Sequence, residues 1–366
     1  MFKGLIIWAQ SSCRSTMGLY AELANLLSVP VKIALWHFSE DGKDIRSAVG
    51  HDSKEFEHLD FIKVGEDWKK GLDVLDAHEG YGHLFAVYQA SKVWRKLACE
   101  AKKRGCRVII GSEAPCNMSK GIRYLLKELY MRFALPIKVR NVVNVADYFI
   151  NYSGDDNKYA RIIGWASNKI IPFGYFSPPL KGSSVKIRKT NKPFTILSTG
   201  ILSSYRGADV LVNALKLLKD RGVNYRAVIT QEGELLSSLK KFAAENNLPI
   251  EFPGFLSMDE LIRLYESCSV FVASGKHEPW GMRLNDALNC GAPLVVSTGM
   301  GGVKMVNDFG CGLSFENKNP KDLADVLERL ATNEDVYLKC VANVEKAIAF
   351  CSPKNRAKEI HNLLQG

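Results

Sequence analysis

The stretch SVFVASGKHEPWGMRLNDALNCGAPLVVS, residues 269–297, carries the strongest structural pattern in the chain. Its apolar run SVFVAS is followed by a polar loop, which is typical of a buried β-strand. A helical segment begins near Gly281, and Gly-Ala-Pro at 291–293 ends it before a second apolar run. Strand, loop, helix, turn and strand in this order predict one βαβ unit of a parallel sheet.

The same alternation extends from this unit in both directions. Further strand candidates lie at 4–9, 31–36, 107–111, 147–153, 168–174, 194–200, 225–230 and 250–254. The segment 177–193 is rich in Pro, Ser, Gly and Lys, which is typical of a linker. A chain of 366 residues is also too long for one ordinary core. We therefore predict an α/β protein with two doubly wound, Rossmann-like domains, 1–176 and 194–350, and a terminal helix, 351–366, that could pack back on the first domain.

Two carboxylates flank the expected start of the helix. Glu278 lies in the loop, and Asp286 follows it by eight residues. The backbone amides from Gly281 to Leu284 should have no helical acceptors, and this end of a helix favours an anion such as a diphosphate. Carboxylates accept hydrogen bonds from hydroxyl groups. The pattern therefore suits a nucleotide sugar, with hydroxyls at both ends and phosphates between them; two solvated acids are the simpler alternative.

The segment KHEPWGMRLND, 276–286, resembles the E-x7-E motif of retaining group 1 glycosyltransferases, which have the GT-B fold of two domains facing across a cleft. The similarity covers about residues 170–315, through the segments 172–176, 198–215, 252–274 and 297–306.

The resemblance implies a role for each matching residue. Glu278 would bind the hydroxyls of the donor sugar, Asp286 would hold the ribose, and Arg206 would neutralise the diphosphate. The donor-binding residues it implies are Gly200, Arg206, Phe255, Glu278, Gly281, Met282, Arg283, Leu284 and Asp286. It also implies retention of the anomeric configuration, no obligatory metal, and no cofactor besides a nucleoside-diphosphate sugar as co-substrate.

Several positions depart from the family pattern. Ile201 replaces an arginine that would carry one of two charges on the diphosphate, and Asp286 replaces a longer glutamate. Met305 stands where an acid usually follows the glycine pair. The loop AQSSCRST, 9–16, lacks the usual glycines, and Arg14 in this loop could supply the missing charge.

The first domain contains three further candidate residues. His78 and His83 in DVLDAHEGYGH, 73–83, are placed in a loop after an apolar strand, and His78 joins Glu278 and Arg206 as a catalytic candidate. A histidine that titrates near neutrality could contact the transferred sugar or the acceptor. Glu113 ends a predicted strand and could line the cleft. Hydrogen-bonded loop residues are the alternative for all three.

Positive charge is concentrated in one region. Residues 92–140 hold thirteen Lys or Arg and three Glu, a surplus equal to the net charge of +10 of the whole chain. The bases alternate with aromatic and aliphatic residues, which predicts one or two basic amphipathic helices. Such a face could contact an anionic membrane surface, remain solvated, or bind nucleic acid; we favour the first and expect no nucleic acid partner.

Targeting and metal signals are lacking in the sequence. The apolar run at 4–9 is too short for a signal peptide, and the nine cysteines show no CxxC or Cys/His spacing. We expect a cytoplasmic protein without a metal site, with peripheral contact at the inner membrane face as an option.

Together with these patterns, the resemblance implies a retaining, metal-independent glycosyltransferase that moves a sugar to a hydroxyl acceptor. The domain 1–176 would bind a lipid-linked or saccharide acceptor, and 194–350 the donor, in the assembly of cell-surface polysaccharide or glycolipid. Two alternatives stay open: a non-catalytic nucleotide-sugar-binding protein, and an epimerase or phosphorylase of the same fold.

Overall fold

The computed structural model describes residues 3–10, 14–36, 58–86, 91–113, 121–154, 158–180, 182–185 and 193–365, without the side chains of Arg14 and Ser15. The chain divides into two compact units. Unit 1 comprises Met1–Pro178 and Ser352–Gly366, and unit 2 comprises Pro179–Cys351. Within the predicted linker 177–193, residue 181 and residues 186–192 lie outside the described part of the chain.

Unit 1 is built on a sheet of seven parallel strands in the order β3-β2-β1-β4-β5-β6-β7. The strands are β1 Leu5–Ala9, β2 Val31–Leu35, β3 Asp60–Lys63, β4 Gly82–Phe85, β5 Val108–Ser112, β6 Tyr148–Asn151 and β7 Ile170–Pro172. The strand order reverses at β1, which pairs with both β2 and β4. This reversal is the mark of a doubly wound sheet.

The helices of unit 1 connect these strands. They are α1 Arg14–Leu26, α2 Trp68–Ala77, α3 Lys92–Lys103, α4 Ile122–Leu129, α5 Leu135–Val145 and α6 Lys158–Ile162. A π-helical segment, Tyr130–Ala134, joins α4 to α5, so 122–145 is one continuous helix.

Unit 2 has six parallel strands in the order β10-β9-β8-β11-β12-β13. The strands are β8 Phe194–Ser198, β9 Tyr225–Thr230, β10 Ile250–Gly254, β11 Val270–Ala273, β12 Leu294–Ser297 and β13 Gly312–Phe315. Its helices are α7 Ala208–Asp220, α8 Leu236–Glu245, α9 Met258–Ser267, α10 Arg283–Asn289, α11 Val303–Phe309, α12 Pro320–Thr332, α13 Glu334–Ala342 and α14 Val344–Cys351. The order again reverses at the first strand, β8, which pairs with β9 and β11.

Local sequence explains these elements well. All four residues of β11, VFVA, are buried, because a central parallel strand is covered on both faces and shows no apolar–polar alternation. Ser257 begins α9 with a capping box, in which its hydroxyl accepts from the amide of Glu260 while the Glu260 carboxylate accepts from Ser257. Asn319 caps α12 ahead of Pro320, whose missing N–H costs nothing in the first turn.

The last helix, α15 Pro353–Gln365, belongs to unit 1 and packs against α1. Its buried residues Ala357, Ile360 and Leu364 share a core cluster with Tyr20 and Leu23 of α1. Arg107 adds a hydrogen bond from Nη1 to the carbonyl of Leu363 at 2.8 Å. The prediction of two doubly wound α/β domains is confirmed by the two parallel sheets.

Candidate functional site

The loops at the carboxyl edge of the unit 2 sheet hold the residues expected to bind the donor. Gly200 follows β8, Phe255 follows β10, and Glu278 follows β11. Because all strands of this sheet are parallel, these loops emerge at one edge, where doubly wound sheets bind ligands.

An ion cluster with one acid and two guanidinium groups lies at this edge. Glu278 is only 5% exposed. Its Oε2 lies 2.5 Å from Nη1 of Arg206, and its Oε1 accepts from Nη2 of Arg283 at 2.6 Å. The second terminal nitrogen of Arg283 donates to the carbonyl of Thr199 at 2.6 Å. The cluster therefore has one positive charge in excess, as an anion-binding site requires.

Backbone contacts fix the position of Glu278. Its amide donates to Gly299 at 3.1 Å, and its carbonyl accepts from Gly301 at 3.0 Å, so the loop pairs with the glycine turn after β12. A Cβ at Gly275 would lie 2.5 Å from Oε1 of Glu278. Gly275 therefore leaves room for the carboxylate of Glu278, and Gly299 and Gly301 belong to the turn that holds its backbone.

Arg206 is positioned by the start of α7. Gly207 is the N-cap of this helix at φ 70°, and Ser274 donates from its hydroxyl to the Gly207 carbonyl at 2.9 Å. A Cβ at Gly207 would lie 1.8 Å from the Ser274 carbonyl oxygen, so only glycine permits this approach. The side chain of Arg206 is 35% exposed, in contrast to 13% for Arg283.

The side chain of Arg283 contributes to the site, and the sequence did not predict this role. The expectation concerned only its backbone amide, but its guanidinium lies against Gly200, where φ is 123° and a Cβ would be 2.2 Å from Nη1. Burial lowers the pKa of Arg283, and the neighbouring carboxylate of Glu278 opposes this effect. An arginine keeps its charge under these conditions. Positive charge is thus present beside the loop in which Ile201 is apolar and 54% exposed.

The helix after Glu278 begins later than expected. α10 starts at Arg283, with Met282 as its N-cap. The amide of Leu284 donates to the Gly281 carbonyl at 2.9 Å, and the Leu284 side chain is buried. The expectation that Leu284 offers a free amide is therefore wrong, because a tight turn precedes the helix and consumes that donor. Within the described residues, the amides of Gly281, Met282 and Arg283 have no backbone acceptor.

The other predicted donor residues lie nearby in the fold. Gly281 has φ of 103°, and a Cβ there would lie 2.5 Å from Met300 Cε and 3.4 Å from Oε2 of Glu278. Asp286 is half-buried in the first turn of α10. Phe255 is 70% exposed, which leaves its ring available for stacking.

Two predicted residues of unit 1 lie at the carboxyl edge of its own sheet. Glu113 follows β5, and its Oε1 accepts from the hydroxyl of Tyr175 at 2.9 Å. Arg14 opens α1, the helix after β1, and its side chain is outside the described atoms.

The two histidines occupy the opposite edge, which corrects the expectation for them. Residues 73–77 end α2, so no strand precedes the loop, and His78 and His83 lie where β4 begins. Nδ1 of His78 donates to the Val74 carbonyl at 2.8 Å. His83 is fully buried, and its Nδ1 accepts from Nε1 of Trp8 at 3.1 Å. Burial, with smaller contributions from His78 and Arg104, lowers the pKa of His83 to about 3. Its position in the core excludes contact with a sugar.

The described residues contain neither a metal-binding cluster nor a membrane-spanning helix. Across the described ranges, no three His, Cys, Asp or Glu side chains come together as a metal site would require. In the same part of the chain, no helix combines the length and hydropathy that crossing a bilayer needs.

Comparison with known proteins places the second unit in a family context. Residues 183–347 match the family model of group 1 glycosyl transferases. A GDP-mannose-dependent alpha-(1-6)-phosphatidylinositol dimannoside mannosyltransferase of Mycobacterium tuberculosis is 35% identical over 209 residues, 56% of this chain and 54% of that protein. An uncharacterized glycosyltransferase of Methanocaldococcus jannaschii is 32% identical over 142 residues, 38% of this chain and 39% of that protein. The chain spans about half the length of these relatives or less.

Solved structures match over almost the whole chain. Anabaena HepE in complex with UDP has a TM-score of 0.71 at 14% identity, and the match covers 99% of each chain. The apo form of the lipopolysaccharide outer core galactosyltransferase WaaB has a TM-score of 0.69 at 12% identity, also over 99% of each chain. The chain has the GT-B fold, as predicted.

Proposed function

We propose that the protein is a retaining glycosyltransferase, which moves a sugar from a nucleoside-diphosphate sugar to a hydroxyl acceptor. The observation that carries this proposal is the cluster of Arg206 and Arg283 around the buried carboxylate of Glu278 at the carboxyl edge of unit 2, inside the segment that matches the family model.

In the proposed complex, Arg206 changes its partner. Each oxygen of Glu278 contacts one guanidinium group and keeps a second lone pair, and movement of one guanidinium would open the carboxylate further to sugar hydroxyls. Arg206 is the more exposed of the two, whereas Arg283 is also tied to Thr199. Arg206 therefore turns to the diphosphate, and Arg283 keeps Glu278 in place for the sugar.

The departing diphosphate is the main centre of developing charge. Arg206 and the amides of Gly281, Met282 and Arg283 stabilise this charge, which is electrostatic preorganisation. Asp286 accepts from the ribose hydroxyls, and the exposed ring of Phe255 lies near the base. A departing phosphate oxygen takes the proton of the acceptor hydroxyl, so no strong protein base is required, and the arginine and the amides supply the positive charge that would otherwise make a metal ion obligatory.

The relatives suggest an order for testing donors. GDP-mannose comes first, because the 35% identical mycobacterial protein is described as GDP-mannose-dependent. UDP-glucose follows, because HepE has been crystallised with it. For the acceptor we propose a lipid-linked or saccharide hydroxyl in cell-surface polysaccharide or glycolipid assembly, in line with the phosphatidylinositol dimannoside and lipopolysaccharide relatives.

A thermal-shift screen of UDP, GDP, ADP and their sugars tests the donor class, since a ligand that binds the folded state raises Tm with its affinity. Isotope-labelled donor with saccharide and lipid-extract acceptors then tests transfer, in EDTA and without added phosphate. Anomeric retention in the product and nucleotide release support the proposal. Binding without turnover would favour the non-catalytic alternative, and a strict need for inorganic phosphate would favour a phosphorylase.

A further inference from the structure

The continuous helix 122–145 of unit 1 has an unusual exposed face. Within the described residues, eight of the sixteen exposed large apolar side chains lie in 122–137, so they are not scattered over the surface. Six of them are 54–79% exposed and follow one another at helical spacing, which places them on one face. We call these six the apolar stripe: Ile122, Leu125, Leu126, Leu129, Phe133 and Ile137.

The opposite face of this helix already packs against the core. Met131, Leu135, Val139 and Val142 are buried in the main cluster of unit 1. The helix is therefore apolar on two faces, and only one of them is covered by the described residues. A contiguous exposed apolar face of this kind marks a binding surface.

The charge around the stripe is almost entirely positive. Residues 121–146 contain five bases and one acid, Glu128. This acid is already engaged by Arg132 at 3.0 Å and by the hydroxyl of Tyr159 at 2.6 Å. Arg123, Lys138 and Arg140 are exposed beside the stripe. Its natural partner is thus both apolar and anionic.

A basic groove continues this surface. The groove between α3 and α5 has a volume of about 1000 Å³, and its charged lining consists of six bases and one acid: Lys92, Arg95, Lys96, Lys102, Lys103, Lys138 and Glu100. Lys102 and Lys103 have acidic partners, but Lys92 and Lys138 have none among the described residues. Lys138 is next to Ile137, so the groove and the apolar stripe are contiguous.

We infer that this surface docks on an anionic lipid bilayer, with the apolar stripe in the interfacial layer and the groove bases against headgroup phosphates. An amphipathic helix binds a membrane in this way through buried apolar area and attraction to anionic lipids. A second copy of the chain would bring two basic surfaces together. Nucleic acid would engage the bases but leave the aliphatic stripe in water. The inference goes beyond the proposed transfer reaction, because docking requires no donor.

Co-sedimentation with vesicles tests the inference on the full chain. One set contains phosphatidylcholine only, and the other contains phosphatidylcholine with phosphatidylglycerol. We expect binding to the second set, weakened by salt. Leu125→Ser with Leu129→Ser and Phe133→Ser should reduce partitioning about tenfold or more. Arg123→Gln with Lys138→Gln should reduce it about fivefold for each base removed.

Matched controls remove similar groups elsewhere. Leu338→Ser removes an exposed leucine of α13, and Lys240→Gln with Lys241→Gln removes two exposed bases of α8; both should bind as the parent does. Circular dichroism and Tm confirm that every variant folds. No sedimentation with either vesicle, or equal binding by parent and all variants, overturns the inference. So does self-association lost in the Ser variant, or binding to an oligonucleotide in place of vesicles.

Discussion

The two sheets of the molecule carry very different chemistry at their carboxyl edges. In unit 2, two guanidinium groups close on the buried carboxylate of Glu278. In unit 1, Glu113 at that edge accepts a hydrogen bond from the hydroxyl of Tyr175, and a basic groove lies between the helices α3 and α5. The same architecture thus carries its charged groups at the sheet edge in unit 2 and on a helical surface in unit 1. The fold determines where a site can lie, and the side chains determine whether it is present.

Glutamate-to-glutamine substitution at both edges gives the largest expected difference. Glu278→Gln should lower the rate of sugar transfer about a thousandfold, because a neutral amide cannot replace the charge that orients sugar hydroxyls and Arg283. Glu113→Gln should change the rate by less than about tenfold. The measurement is turnover of labelled donor at saturating acceptor.

A control and a binding assay complete this test. Glu251→Gln alters a surface ion pair with Arg226 and should leave turnover unchanged. Calorimetry should still detect nucleoside-diphosphate binding to Glu278→Gln, since both arginines remain. Full turnover in Glu278→Gln, or equal losses at Glu278 and Glu113, would remove the distinction between the two edges.

A glycine-to-alanine pair separates backbone strain from crowding of the cluster. Gly200→Ala should reduce the free energy of unfolding by about 3 kcal/mol, because φ is 123° and the new Cβ would meet Nη1 of Arg283 at 2.2 Å. Gly222→Ala, at φ 76° with no atom within 4 Å, should cost only about 1 kcal/mol. Urea unfolding measures both. Equal values would mean that Arg283 does not constrain Gly200.

Loss of the Arg206 guanidinium should weaken donor binding, and this effect should be smaller than the loss of transfer rate in Glu278→Gln. Arg206→Met should weaken nucleoside-diphosphate binding by about 1.5–3 kcal/mol, the range for a hydrogen bond to a charged group. Arg221→Met is the matched control, since it also removes an arginine bound to acids, Asp325 and Glu328, on the surface of the same unit. Calorimetry that gives both variants the parent's affinity would contradict the assignment of Arg206.

The sequence predicted unit 2 better than unit 1 for physical reasons. Its central strand β11 is a short, fully apolar run followed by a polar loop, and its βαβ periodicity is regular. In unit 1, β3 has only one half-buried residue and three exposed ones, so it gives no apolar signal. The end of α2 is predicted as a strand because Val74 and Leu75 form a short apolar run, whereas in the structure they share the buried face of a helix with Gly71.

Side-chain partners were the least predictable part of the site. The order of Glu278 and Asp286 in the sequence indicated a ligand edge, but nothing local indicated that Arg283 reaches Thr199, 84 positions earlier. The histidines show the converse. Two histidines near glycines suggested a loop, whereas the β4 pairing with β1 placed His83 beside Trp8, 75 positions away. Contacts between distant segments depend on the fold as a whole.

The smallest expected effect concerns this core histidine and depends on pH. The pKa of His83 is about 3 in the folded state, against an ordinary value of 6.5. Below pH 6.5 the unfolded chain therefore takes up a proton at His83 that the folded chain does not. The contribution of neutral His83 to the free energy of unfolding is complete above pH 6.5 and is lost as the pH falls towards 3. The slope is about 1.4 kcal/mol per pH unit in this window.

His83→Gln keeps an acceptor for Nε1 of Trp8 but does not titrate. Its free energy of unfolding should fall less than that of the parent between pH 6.5 and 5, by about 1.4 kcal/mol per unit. His78→Gln is the companion variant at the same edge, and it removes a group that helps to lower the pKa of His83. Transfer at neutral pH should be preserved in both variants, because the amino edge of the unit 1 sheet is structural. If His83→Gln instead folds normally and loses transfer, then the contrast between the two edges fails at this residue.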